Sequence, residues 1–158
     1  MSNPRAAVIG YGYAGRSFHS YLISLTPGLT LHVIASSDPA KREQIVRERH
    51  CKAYSSFDEV IADPAVDLVV LATPNDVHAD LAPQIACPLQ FHYAGHDDHI
   101  PPSAVDSVRQ ALAGHDAQVH VYADAQHGFN CWARATYHAP SAALSHGRAT
   151  TFLAAHLF

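Results

Sequence analysis

The stretch Val8-Ile-Gly-Tyr-Gly-Tyr-Ala-Gly15 decides how this chain is read. It grows out of an apolar run, Arg5 to Gly10 (RAAVIG), that predicts a short buried parallel strand. A helical stretch follows from Ala14 to about Ser24. Gly10, Gly12 and Gly15 therefore match G-x-G-x-x-G in the strand-to-helix setting that the motif needs. Each glycine has its own physical task. Gly10 permits a tight turn, Gly12 lets the backbone come close to a pyrophosphate, and Gly15 lets the helix pack closely on the strand. Amides at the helix start, around Tyr13 and Ala14, would then face the anion. The plain alternative is a glycine-rich turn with no ligand.

Moving outward, strands and helices alternate. Leu29 to Ala35 predicts a second strand. Ser36-Ser37-Asp38-Pro39 predicts the start of a helix that runs to about Arg49, with proline in its first turn. A brief strand falls around Lys52 to Tyr54. Ser56 caps a short helix that ends near Ala62, with Glu59 three residues on. Asp67 to Ala72 (DLVVLA) is an uninterrupted apolar strand, and a short helix is expected through Val77 to Ala82. The pattern then restarts. Strands are expected at Pro88 to Ala94 and Gln118 to Tyr122. Helices are expected at Ser103 to Ala113, with Val105, Val108 and Leu112 on one face, and at Ser141 to His156, with Leu144, Phe152 and Leu153 as apolar contacts. This alternation argues for a single α/β domain over residues 1–158. The expected architecture is one doubly wound, mostly parallel six-stranded sheet of order 3-2-1-4-5-6 with helices on both faces.

Composition limits the functional classes. The chain has 158 residues, 48% of them apolar and 15% charged, so a globular core is expected and a disordered chain is not. Its formal net charge is −4 and it has no basic run, which argues against nucleic acid and anionic membranes as partners. No stretch reaches the length of a membrane span and no targeting signal is evident, so a soluble, cytoplasmic protein is expected. Cys51, Cys87 and Cys131 are widely spaced and read as reduced, partly buried thiols. His92, His96 and His99 stand beside Asp97 and Asp98, but their spacing fits no zinc pattern well. A polar turn is preferred there to a metal site.

The end of the second strand selects among dinucleotides. An NAD site usually carries an acidic residue there for the ribose hydroxyls. This chain has Ser36 and Ser37, with Lys41 and Arg42 shortly after. Hydroxyls and cations favour the 2′-phosphate of NADP over NAD. Against this, Ser36 and Ser37 could serve only as helix caps, and Asp38 could restore an NAD-like site.

VIGYGYAGRSFH (8–19), ASSDPAK (35–41) and DPAVDLVVLATPNDVH (63–78) resemble the Gfo/Idh/MocA oxidoreductase family over roughly the first half, residues 1–80. The resemblance implies a dinucleotide-binding Rossmann half. It also implies that Thr73, Pro74, Asn75 and His78 line the cofactor beside the nicotinamide. The family's next element, a strand leading to E-K-P with the catalytic lysine, does not follow here.

From residue 81 onward, CPLQFHYAGHDDHIPPSAV (87–105) and VYADAQHGF (121–129) resemble the dienelactone hydrolase family of α/β-hydrolases. The resemblance implies Asp97 as the acid of a triad and His127 as its histidine, with Asp98 the competing acid by sequence alone. In such a triad the acid orients the imidazole, which acts as general base. The nucleophile would sit on a G-x-S-x-G elbow or its cysteine version, and no such string occurs in this sequence. Asp97 and His127 are expected to remain as a relic pair, with water, Tyr11 or Tyr13 as the only groups left to activate.

The resemblance switches between about Ala79 and Gln84, inside a would-be sheet. Natural fusions usually join whole domains through linkers. The sequence therefore reads as an engineered chimera of two α/β fragments, a scaffold that retains NADP or NAD binding. The other reading is a weak esterase-like hydrolase that uses the Asp97–His127 pair.

Overall fold

The computed structural model describes residues 3–73 and 77–157. The chain divides into two compact units, Met1–Pro74 and Asn75–Phe158.

In the first unit, β1 (Arg5–Ile9) leads into a π-helical turn (Gly15–His19) that continues as α1 (Ser20–Leu25). Then come β2 (Thr30–Ala35), α2 (Pro39–Arg49), β3 (Lys52–Tyr54), α3 (Phe57–Ile61) and β4 (Leu68–Leu71). All pairings are parallel and the order is β3-β2-β1-β4. The central strand is buried on both faces, which is why it reads as a continuous apolar run rather than an alternating one. Ala6 and Val8 pack with Ile34, Ile23 and Ile45. Ala7 and Ile9 pack on the other side with Val33, Ala35 and Val60. Ser56 caps α3 as expected, its Oγ accepting from the Glu59 amide at 3.3 Å.

The loop into β4 is anchored by a carboxylate. Asp63 accepts from Tyr54 Oη at 2.8 Å, from His32 Nε2 at 3.0 Å and, through its other oxygen, from the Ala65 amide at 2.9 Å. These donors, the Ala65 amide first, hold its carboxyl well below the usual carboxylate range.

In the second unit, α4 (His78–Leu81) and a single 3₁₀ turn (Ala82–Gln84) precede β5 (Leu89–His96), α5 (Pro102–Ala111), β6 (Ala117–Gln126) and α6 (Ala139–Leu157). Val105, Val108 and Leu112 are buried as the periodicity predicts. Val108 and Leu112 pack with Ala82, Leu89 and Phe91.

Several expectations need correction. The six strands form a four-stranded sheet and a separate two-stranded parallel sheet, β5-β6, rather than one six-stranded sheet. Alternating βα units predict parallel strands, but they do not determine which ladder continues across the change of pattern. β6 runs on to Gln126, well past Tyr122, because pairing resumes beyond an irregularity at Gly95, with His96 opposite Gln126. Leu144 is exposed. The packed face of α6 is made of Ser141, Ala142 and Ser145 instead. Ser145 Oγ satisfies itself by donating to Asn130 Oδ1 at 2.8 Å, so a hydroxyl can occupy a core position. Cys51 is half-buried, but Cys87 and Cys131 are exposed; all three are free.

The face of β5–β6 that carries Gln90, His92, Gln118 and His120 is polar. His92 bridges two neighbours. Tyr122 Oη donates to its Nδ1 at 2.8 Å, and its Nε2 donates to Gln90 Oε1 at 2.8 Å, which makes the ring a neutral imidazole. Burial, reinforced by His120 and Arg148, pushes its pKa down to about 4 from 6.5. The unfolded chain thus takes up a proton between pH 6.5 and about 4 that the folded chain refuses. This contribution to stability is intact above pH 6.5 and is lost progressively down to about pH 4. The expected loss is about 2 kcal/mol once solvent screening at a half-buried site is allowed for. Urea unfolding of wild type and His92→Gln over this range tests it. If the two pH profiles run parallel, His92 has no such role.

Candidate functional site

The glycine loop of the first unit divides its three glycines by what surrounds them. Gly10 has φ +99°, and a Cβ there would lie 2.7 Å from the Ala72 carbonyl oxygen. At Gly15 a Cβ would lie 2.0 Å from the Gly10 carbonyl oxygen. Both positions are closed by backbone, so only glycine fits. Around Gly12, by contrast, a Cβ would meet nothing within 4 Å. Gly12 is therefore not required by the packing of the loop itself. An open approach to the backbone at the start of a helix is what a bound pyrophosphate requires. Tyr13 and Ala14 are exposed at this edge, Tyr13 edge-on to Phe18. Tyr11 instead turns into the core, and its Oη accepts from Arg49 Nε at 3.3 Å. Its hydroxyl is thus engaged within the first unit.

At the end of β2, Asp38 is the helix cap. Its Oδ1 accepts from the Ala40 amide at 2.9 Å and the Lys41 amide at 3.4 Å. Its Oδ1 is thus engaged by the first turn of α2. Arg42 folds back so that one guanidinium nitrogen donates to the Ser36 carbonyl at 2.8 Å. This places a cation at the Ser36 backbone. Ser36 Oγ accepts only a long contact, 3.4 Å, from the Asp38 amide. Thr73 follows β4 in the first unit and His78 opens α4 in the second. Pro74 and Asn75 lie outside the described residues.

The second unit brings Asp97 and His127 together. His127 Nδ1 stands 3.0 Å from Asp97 Oδ2 and 3.1 Å from Oδ1. Asp97 Oδ1 also accepts from the amides of His99 at 2.8 Å and Ile100 at 3.0 Å. The Asp97 side chain is 4% exposed and that of His127 is 40% exposed. A buried, multiply hydrogen-bonded carboxylate therefore fixes the Nδ1–H tautomer. Nε2 has no hydrogen-bond partner among the described residues. Asp98 is exposed and makes no bond to the ring. The cavity beside His127 measures about 310 Å³ and is lined by Asp98, His99, Arg134 and Thr136 among others. Among the described residues no group of three or more histidine, cysteine or carboxylate side chains could hold a metal ion.

Three features of this site escaped the sequence reading. At Gly95 a Cβ would lie 2.6 Å from the Ala123 carbonyl oxygen, so β6 presses on β5 just before Asp97. The glycine two residues ahead of the acid was the available signal. Gly128 has φ +78° and is covered by the Arg134 side chain. His99 meets the His127 ring edge-on, with centroids 4.7 Å apart, a contact that no spacing rule announces.

Comparison with known proteins yields two families. Residues 4–87 match the oxidoreductase family with an NAD-binding Rossmann fold, and residues 53–157 match the dienelactone hydrolase family. The uncharacterised oxidoreductase YdgJ of Escherichia coli (strain K12) is 44% identical over 80 residues, covering 51% of this chain and 22% of that protein. A carboxymethylenebutenolidase-like protein of the same organism is 43% identical over 65 residues, covering 40% of this chain and 24% of that protein. The chain thus spans about a quarter of each relative's length. Among solved structures, an NAD-binding protein from Listeria innocua has a TM-score of 0.57 at 25% identity, over 77% of this chain and 36% of that one. A scyllo-inositol dehydrogenase from Lactobacillus casei, with bound NAD(H) and scyllo-inositol, has a TM-score of 0.61 at 16% identity, over 92% of this chain and 42% of that one. At that identity the likeness concerns the fold alone. The chain belongs to the Gfo/Idh/MocA oxidoreductase family through residues 4–87 and to the dienelactone hydrolase family through residues 53–157.

Proposed function

We propose that the chain is an engineered recombination of two α/β fragments. In this reading it binds a nicotinamide dinucleotide, NADP in preference to NAD, and turns over neither family's substrate. The observation that carries the binding is the contrast within the loop: Gly10 and Gly15 closed by backbone, Gly12 open. Gly12, Tyr13 and Ala14 would meet the pyrophosphate. Ser36, Ser37 and Arg42 would meet the 2′-phosphate, and Thr73, Pro74, Asn75 and His78 would serve the nicotinamide end. The bound dinucleotide would supply a hydride acceptor or donor. The residues named here bind and orient it.

The two family matches overlap at residues 53–87, which supports an exchange made where the two patterns coincide. Past that overlap, hydrolase sequence stands where the oxidoreductase lysine would follow. Ahead of it, no G-x-S-x-G elbow or cysteine version of it occurs in the sequence. Asp97 and His127 then hold a general base with nothing to deprotonate but water.

A fluorescence titration with NADPH and NADH tests the first claim. Wild type binds NADPH more tightly. Ser36→Asp should reverse the order by about tenfold, by repelling the 2′-phosphate and accepting from the ribose. Equal affinity of wild type for the two cofactors would remove the preference. The second claim predicts p-nitrophenyl acetate hydrolysis at the background rate. A rate above background that disappears in His127→Ala would favour the second reading, a hydrolase built on the Asp97–His127 hydrogen bond.

A further inference from the structure

A second cavity belongs neither to the glycine loop nor to Asp97 and His127. It measures about 690 Å³, within the range of small-molecule sites, and lies under α6 against the polar face of β5–β6. Its floor is Gln90, Gln118 and His120, near the N-terminal ends of the two strands. Asp97 and His127 lie beyond the C-terminal ends of those strands. Its wall is Leu144, Phe152 and Ala155 on α6, with Arg148 between wall and floor.

Two features define what would fit. The first is charge. No aspartate or glutamate lines the cavity, although the whole chain has a formal net charge of −4. Arg148 forms no ion pair among the described residues. Its guanidinium is held 5.4 Å from the centroid of the Tyr122 ring. The floor is arranged as a relay of donors. Gln90 Nε2 donates to Gln118 Oε1 at 2.8 Å, which leaves the Gln118 amide nitrogen as a further donor. The second feature is the wall. Leu144 is 50% exposed, on the helix face where the sequence predicts a core contact. Together with Phe152 and Ala155 it forms an apolar strip along the cavity.

We propose that this groove binds a small amphipathic anion, a carboxylate on an apolar body, with Arg148 and Gln118 taking the carboxylate and Leu144, Phe152 and Ala155 taking the hydrocarbon. The fork of an arginine matches a carboxylate bidentately. An unpaired guanidinium beside an apolar wall discriminates by charge as well as by shape.

The probe is octanoate, with octanamide as its neutral counterpart, titrated into the full chain and followed by backbone amide chemical shifts. Octanoate should shift amides of β5, β6 and α6 around the groove, and octanamide should bind at least tenfold more weakly. Arg148→Gln should weaken octanoate at least tenfold. Ala155→Phe, which fills the groove and keeps the arginine, should do the same with an unchanged circular dichroism spectrum. If Arg148→Gln fails to fold, Ala155→Phe alone decides. The proposal is overturned by any of the following: equal binding of acid and amide, wild-type affinity in Ala155→Phe, shifts elsewhere in the chain, no shift at millimolar octanoate, or a dimer in sedimentation whose interface covers the groove.

Discussion

Gly12→Val is expected to fold as the wild type does and to lose dinucleotide affinity by on the order of a hundredfold or more. The basis is the contrast between neighbouring glycines. A Cβ at position 12 meets nothing within 4 Å, so the loop tolerates a side chain there. An isopropyl group would nevertheless stand where a pyrophosphate must touch backbone. Position 15 behaves in the opposite way. A Cβ 2.0 Å from the Gly10 carbonyl oxygen cannot be accommodated without moving the loop, so Gly15→Ala should lower the melting temperature as well as the affinity. NADPH titration and thermal unfolding of both variants separate the two effects. Wild-type affinity in Gly12→Val would end the cradle reading, and an unfolded Gly12→Val would show that the glycine serves packing instead.

The second large effect is expected at Gly95. A Cβ there would lie 2.6 Å from the carbonyl oxygen and 2.7 Å from the Cα of Ala123, atoms of the paired strand that cannot rotate away. Gly95→Val should cost about 3 kcal/mol or more, near the upper end for a single substitution. It should also detach Asp97 from His127, because the irregularity between Ala94 and His96 is what carries the chain from the ladder to the acid. Urea unfolding reads the first effect. The second is read by the histidine ring signals of His127, which should lose the signature of a hydrogen-bonded Nδ1–H. A stable Gly95→Val with that signature intact would mean that β5 and β6 can separate at no cost.

Much of this architecture could be read before any coordinates. The strand-loop-helix start, the helix after Asp38 and the buried face of α5 all follow from apolar runs, caps and glycine spacing. These signals are local, within a dozen residues, and physics acts on them locally. What escaped was long-range. Gln126 is a strand residue only because His96 lies opposite it. Leu144 is exposed because Ser141 and Ser145 found hydroxyl partners, a choice that depends on His138 and Asn130. The grouping of six strands into two ladders depends on pairing that no single segment encodes. The same division holds at the sites. The glycine spacing pointed to the loop, and the family resemblance around G-x-D and H-G-F pointed to Asp97 and His127, whose side chains meet. Which amides the Asp38 carboxylate reaches, those of Ala40 and Lys41, required the folded geometry.

β6 has consequences for handling the protein. Among the described residues it is paired on one side only, over ten residues, and Val121 on it is 41% exposed. A long strand with a free row of amides and carbonyls can recruit another chain, and self-association of that kind grows steeply with concentration. Asp124, exposed on the same strand, is a charge that would be stacked against its own copy in a parallel, in-register ladder. The colloidal behaviour of the chain should therefore depend on that one carboxylate. Asp124→Asn, which removes that charge, should raise the light scattering of concentrated neutral solutions above that of wild type.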